Sequence, residues 1–113
     1  MKQKEITVNG KNYPVVFTLA TLSNFEEIAG KPFFKSDLDM VKNRIAIICA
    51  AAIAADENTT LTVEELRGKE TWDDYVQIAN AYVVVMELAT QFFPKSNEDE
   101  EKPEAEGEDK QKN

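Results

Sequence analysis

The segment Ile6-Thr7-Val8-Asn9-Gly10-Lys11-Asn12-Tyr13-Pro14-Val15-Val16-Phe17 constrains the fold more than any other stretch of the chain. Asn-Gly is the preferred pair for a two-residue type I′ turn, because both positions need positive φ and the primed turn follows the natural twist of the strands. Such a turn leaves no freedom of register. Val8 must face Lys11, Ile6 must face Tyr13 and Lys4 must face Val15, all on one mainly apolar side of the ribbon. Pro14 then falls opposite Glu5 at a non-hydrogen-bonded position, where a missing N–H costs the ladder nothing and leaves the outer edge a poor template for another strand.

The hairpin runs directly into a helical pattern. Leu22, Phe25, Ile28 and Ala29 share a stripe that should cover the hairpin, the helix starting at or just after Thr18 and ending at Gly30, with Pro32 beyond it. A loop through Phe33-Phe34 follows. Ser36 or Asp37 is an N-cap for a second helix over residues 38–55, with Asp39 in its first turn and Leu38, Val41, Ile45, Ile48 and Ala52 as its main stripe. Its C-terminal half is apolar all round, the mark of a helix wrapped by its own domain or buried against another protein. Thr62-Val63-Glu64-Glu65 reads as a capping box opening a short helix that ends at Gly68. Thr71 caps a last long helix reaching Phe93, with Trp72, Val76, Ala79, Val83, Met86 and Ala89 as its main stripe and Tyr75, Ile78, Tyr82, Val85, Leu88 and Phe92 widening it.

The expected architecture is therefore α+β: an N-terminal β-hairpin followed by three to four α-helices in one domain over residues 1–93. Residues 94–113 contain one Ala and no large apolar side chain, so they are expected to be a disordered acidic tail or linker. The two long helices carry more apolar surface than a hairpin and a short helix can cover. That excess points to self-association or a partner groove.

The chain has 113 residues and a net charge of −8, half of it in the tail, where eight acidic side chains outnumber four basic ones. Without clustered Lys and Arg it lacks what phosphate neutralisation requires, so no nucleic-acid partner is expected. The run from Ile45 to Ala55 is too short for a membrane span, and no signal-peptide pattern precedes the first strand. Cys49 lies within that run and reads as a buried, reduced cysteine.

The tools of catalysis are scarce. The chain has no histidine and a single cysteine, which leaves the usual acid–base, nucleophilic and zinc sets incomplete. No phosphate-binding glycine pattern occurs, and Asp56-Glu57-Asn58 lacks calcium-loop spacing. Glu26-Glu27, Glu64-Glu65 and Asp73-Asp74 are adjacent acids that point about 100° apart on a helix and suit solvent or a helix N-terminus. A non-enzymatic protein without cofactor or metal is expected. Its candidate partner-binding residues are aromatic: Phe33, Phe34, Trp72, Tyr75, Phe92 and Phe93. Two consecutive Phe cannot easily share one core, so one member of each pair is free to anchor an apolar helix of a partner.

The hairpin Ile6-Thr7-Val8-Asn9-Gly10-Lys11, with Tyr13-Pro14-Val15 after it, then Phe17-Thr18-Leu19, Thr21-Leu22 and Asn24-Phe25-Glu26-Glu27-Ile28-Ala29-Gly30, then a helical remainder and an acidic polar tail, resembles the tail assembly chaperones of long-tailed bacteriophages and prophages. The resemblance covers residues 5–93 in layout and rests mainly on Ile6 to Phe34. It implies a small protein of the bacterial cytoplasm that keeps the tape measure protein soluble until tail tube subunits polymerise around it. In that family a frameshifted longer form often recruits the tail tube protein, which would make the acidic tail a linker. Two other readings use the same features: a structural tail or capsid-associated component, and an acidic regulatory adaptor of a host enzyme. For the adaptor, acidic density should be greatest on the folded body, and here it is greatest in the tail.

Overall fold

The computed structural model describes residues 2–94, and the expectation of a disordered tail falls outside the described residues. Strands β1 (Gln3–Val8) and β2 (Lys11–Val16) pair antiparallel in the register the turn demands, with Ile6 opposite Tyr13 and Glu5 opposite Pro14. Asn9 and Gly10 take φ of 55° and 76°, the left-handed pair of a type I′ turn. Ile6, Val8, Tyr13 and Val15 are buried on one face of the ribbon. Four helices follow: α1 (Leu19–Ala29), α2 (Val41–Ala55), α3 (Val63–Arg67) and α4 (Trp72–Phe92), with a 3-10 turn at Phe33–Lys35. The fold is α+β. Among the described residues no helix is long and apolar enough to cross a membrane.

The turn from hairpin to α1 is locked by Thr21. Its Oγ1 accepts from the Thr18 N–H at 3.0 Å and donates to the Val16 carbonyl at 2.8 Å, with Thr21 and Val16 both buried. At the far end Gly30 (φ 78°) closes the helix with its N–H on the Glu26 carbonyl at 2.9 Å. The Thr62 half of the expected box on α3 forms, with Thr62 Oγ1 accepting from the Glu65 N–H at 3.1 Å. On α4 the box is complete: Thr71 Oγ1 accepts from the Asp74 N–H, and Asp74 Oδ2 accepts from the Thr71 N–H at 3.2 Å. Thr71, through side chain and backbone, holds the Asp74 carboxyl below its ordinary range, with the Glu70 N–H adding to the effect.

Three expectations are corrected. The hairpin is covered by α2, against β2, and by α4, against β1, while α1 packs chiefly on α2. The reason lies in α2, whose Ala50, Ala51 and Ala52 let neighbours approach from several sides, so it takes the centre of the fold and α1 is displaced outward. Wrapped by its own domain, α2 leaves no apolar excess along Ile45–Ala52.

Second, α2 starts at Val41, with Met40 as its N-cap. Asp37 Oδ1 is engaged by the Asp39 N–H at 2.9 Å, a local turn that competes with capping a helix. Asn43 Nδ2 and Arg44 Nε then donate to the carbonyls of Asp37 and Leu38 and hold residues 37–40 out of the helix.

Third, α4 is rotated from the expected phase. Its buried residues are Ile78, Ala81, Val85, Leu88 and Ala89, so Ala89 of the main stripe turns inward while Trp72, Val76 and Val83 look outward, and Tyr75 and Phe92 of the widening stripe stay exposed. Both stripes are apolar at helical spacing, so periodicity alone cannot choose between them.

Candidate functional site

All six phenylalanines of the chain meet at one end of the molecule. Phe33 lies at the centre, its ring edge-on to Phe17 and Phe25 and stacked on Phe93 with centroids 5.9, 5.5 and 6.2 Å apart. Phe92 leans on Phe17 at 5.4 Å. Edge-to-face and offset pairs at these spacings are the favoured aromatic arrangements and stiffen the cluster beyond simple burial. Two chain segments distant in sequence, the 3-10 turn and the end of α4, are thereby joined.

The pairs divide as neighbouring side chains must. Phe33 turns inward and is buried, while Phe34 is 73% exposed, its ring propped against Phe93 at 5.5 Å. Phe93 is half-buried and Phe92 retains an open side. Beside Phe92 lies a shallow recess of about 420 Å³ lined by Phe17, Leu88 and Gln91. The result is an aromatic shelf: one ring offered to solvent on a base that cannot easily move. Phe17 and Phe25, which complete that base, were not among the sequence candidates, and nothing local distinguishes them from ordinary core residues.

Trp72 and Tyr75 stand elsewhere, at the other end of α4, about 30 Å from Phe92 at 1.5 Å per residue. Their rings stack at 5.0 Å. Trp72 is 73% exposed and continues into the outward stripe of Val76 and Val83. Tyr75 also borders a groove of about 270 Å³ with Val41 and Leu66, rimmed by Lys42, Arg67 and Lys69. The six candidates therefore form two surfaces and not one site.

Among the described residues no three His, Cys, Asp or Glu side chains come together as a metal site would require. Cys49 is buried, and that burial, with Glu64 and Glu65 adding to it, pushes its thiol from 9.0 up to about 12. A thiol in this position stays protonated and unreactive at neutral pH. Because its pKa is raised, its contribution to stability is complete below the free thiol's 9.0 and fades as pH climbs toward about 12. Iodoacetamide at about pH 8 is expected to label Cys49 only on unfolding, and urea stability is expected to fall more steeply between about pH 9 and 11 in the native chain than in Cys49→Ala. Labelling of the folded protein at the rate of a free thiol would contradict this burial. No family model, curated protein or solved structure matches the chain.

Proposed function

We propose that this protein is a tail assembly chaperone of a long-tailed bacteriophage or prophage, binding amphipathic helices of the tape measure protein in the bacterial cytoplasm and keeping them soluble until the tail tube forms. The observation that carries the binding surface is the exposed Phe34 ring on its fixed aromatic base. A rigid aromatic anchor loses little entropy on binding, which is how a small surface acquires useful affinity for an apolar helix. The assignment of the client rests on the resemblance of Ile6–Phe34 to the family. A net charge of −8 supports the same reading, since it would keep a complex loaded with apolar helices from associating further.

Co-expression with a tape measure protein from the same genome tests the proposal. Stoichiometric rescue and copurification of that protein are expected, together with absence of this chain from finished particles by mass spectrometry. Failure to rescue would remove the chaperone reading. Retention in purified particles would favour a structural tail component, which would use the same surfaces in a permanent assembly.

A further inference from the structure

Basic charge gathers at the groove between α2, α3 and the start of α4. Residues 2–94 hold nine Lys and Arg, and three of them, Lys42, Arg67 and Lys69, line this groove. Neither ion pair among the described residues, Lys4 with Glu87 and Arg44 with Asp39, involves them. No Asp or Glu lines the groove, although Glu64, Glu65, Glu70, Asp73 and Asp74 are close in sequence. Asp74 Oδ2 is turned to the backbone N–H groups of Glu70 and Thr71 at 3.3 and 3.2 Å, and Glu64 lines a separate recess beside Cys49. Between the cations the floor is apolar, with Ile45, Leu66 and Ile78 buried and Val41 and Tyr75 partly open to water.

We propose that this groove is the docking site of the chain's own acidic tail, through Pro103-Glu104-Ala105-Glu106-Gly107-Glu108-Asp109. The tail carries its eight carboxylates in two blocks of four, Glu98 to Glu101 and Glu104 to Asp109. Length decides between them. Tyr75, on the groove, lies about 28 Å back along α4 from Pro94 at 1.5 Å per residue. Glu101 reaches at most about 25 Å from Pro94 even in a fully extended chain, whereas Glu104 to Asp109 reach about 36 to 54 Å. Only the second block spans the distance.

That block also has the pattern the groove requires. It contains no Lys or Arg, and its small and acidic residues alternate. Successive side chains of an extended chain point to opposite sides, so Pro103, Ala105 and Gly107 lie toward the apolar floor while Glu104, Glu106 and Glu108 turn to the cations. Pairing between exposed charges is weak. The tether compensates, since a linked segment meets its site at about millimolar effective concentration, an advantage that an unattached acidic protein lacks. The Phe34 shelf stands at the other end of α4, so the inference does not depend on the client.

Nuclear magnetic resonance of the full chain tests it, with a nitroxide on Gln111→Cys in a Cys49→Ala background. The label is expected to broaden the amides of Lys42, Arg67, Lys69 and Tyr75, and about 1 M NaCl, where the screening length falls to about 3 Å, should abolish the broadening. Neutralising the second block (E104Q, E106Q, E108Q and D109N together) should abolish it as well. The same treatment of the first block (E98Q, D99N, E100Q and E101Q) should leave it. Broadening spread evenly over the body, its persistence in high salt or without the second block, or equal loss in both block variants would overturn the inference. Equal broadening of isotope-labelled, nitroxide-free chains mixed with nitroxide-bearing ones would overturn it too, because the occupant would then be the tail of a second copy.

Discussion

Phe25→Ala is expected to lower the stability of the folded body by about 3–5 kcal/mol, the usual loss when a large aromatic side chain is removed from a core that cannot collapse. Phe25 is fully buried on α1 and turns its ring edge-on to Phe33. It therefore supports two contacts at once: the packing of α1 on α2 and the base of the aromatic shelf. Domains of this size hold only about 5–15 kcal/mol in reserve, and each kcal/mol is worth about 4–8 °C in melting temperature. A fall on the order of 15 °C or more is expected by calorimetry, with urea denaturation giving the corresponding free energy. A change of less than about 0.5 kcal/mol, the range of an ordinary surface substitution, would show that Phe25 does not hold this cluster together.

The second large effect is a contrast between neighbours. Phe33→Asp places a carboxylate among the rings of Phe17, Phe25, Phe34 and Phe93. A buried unpaired charge costs several kcal/mol, so this variant is expected to unfold or to express as insoluble protein. Phe34→Asp changes a ring that is mostly in water, and its melting temperature should stay within a few degrees of the native value. Its client binding should nonetheless fall by about tenfold or more if the ring is the anchor. Circular dichroism and copurification with the proposed client, a tape measure protein, separate the two effects. Equal loss of folding in both variants would make the pair a common core element, and full client retention by folded Phe34→Asp would move the binding surface elsewhere.

Much of this architecture was legible in local chemistry. Asn9-Gly10 dictated the hairpin register residue by residue, because a two-residue turn admits one pairing. Thr62 and Thr71 marked the starts of α3 and α4, and Gly30 the end of α1, because caps act within a single helical turn. Where two local interactions compete, the reading failed. Asp37 was a sound candidate for an N-cap, yet its carboxylate closes a turn on Asp39 and α2 begins after Met40. Thr21 passed unnoticed because its value depends on the Val16 carbonyl, which only the folded hairpin brings within reach.

The candidate surface was legible in kind but not in arrangement. Adjacent Phe residues must diverge, so an exposed member of a pair follows from chain geometry alone, but nothing in Phe33-Phe34 says which ring turns inward. That choice is made by Phe17, Phe25 and Phe93, which arrive from three other parts of the chain.

The sequence by itself determined the hairpin and its register, the order of the helices, the Gly30 stop of α1 and the Thr62 and Thr71 caps of α3 and α4, since each of these depends on interactions between residues a few positions apart. Only the tertiary structure decided that α2 takes the centre, that Phe34 and not Phe33 faces water, and that α4 buries Ile78, Val85 and Leu88 while leaving Trp72, Val76 and Val83 outside. Those outcomes depend on which of two comparably apolar faces fits a neighbour's shape, and close packing between distant segments is a property that no local pattern encodes.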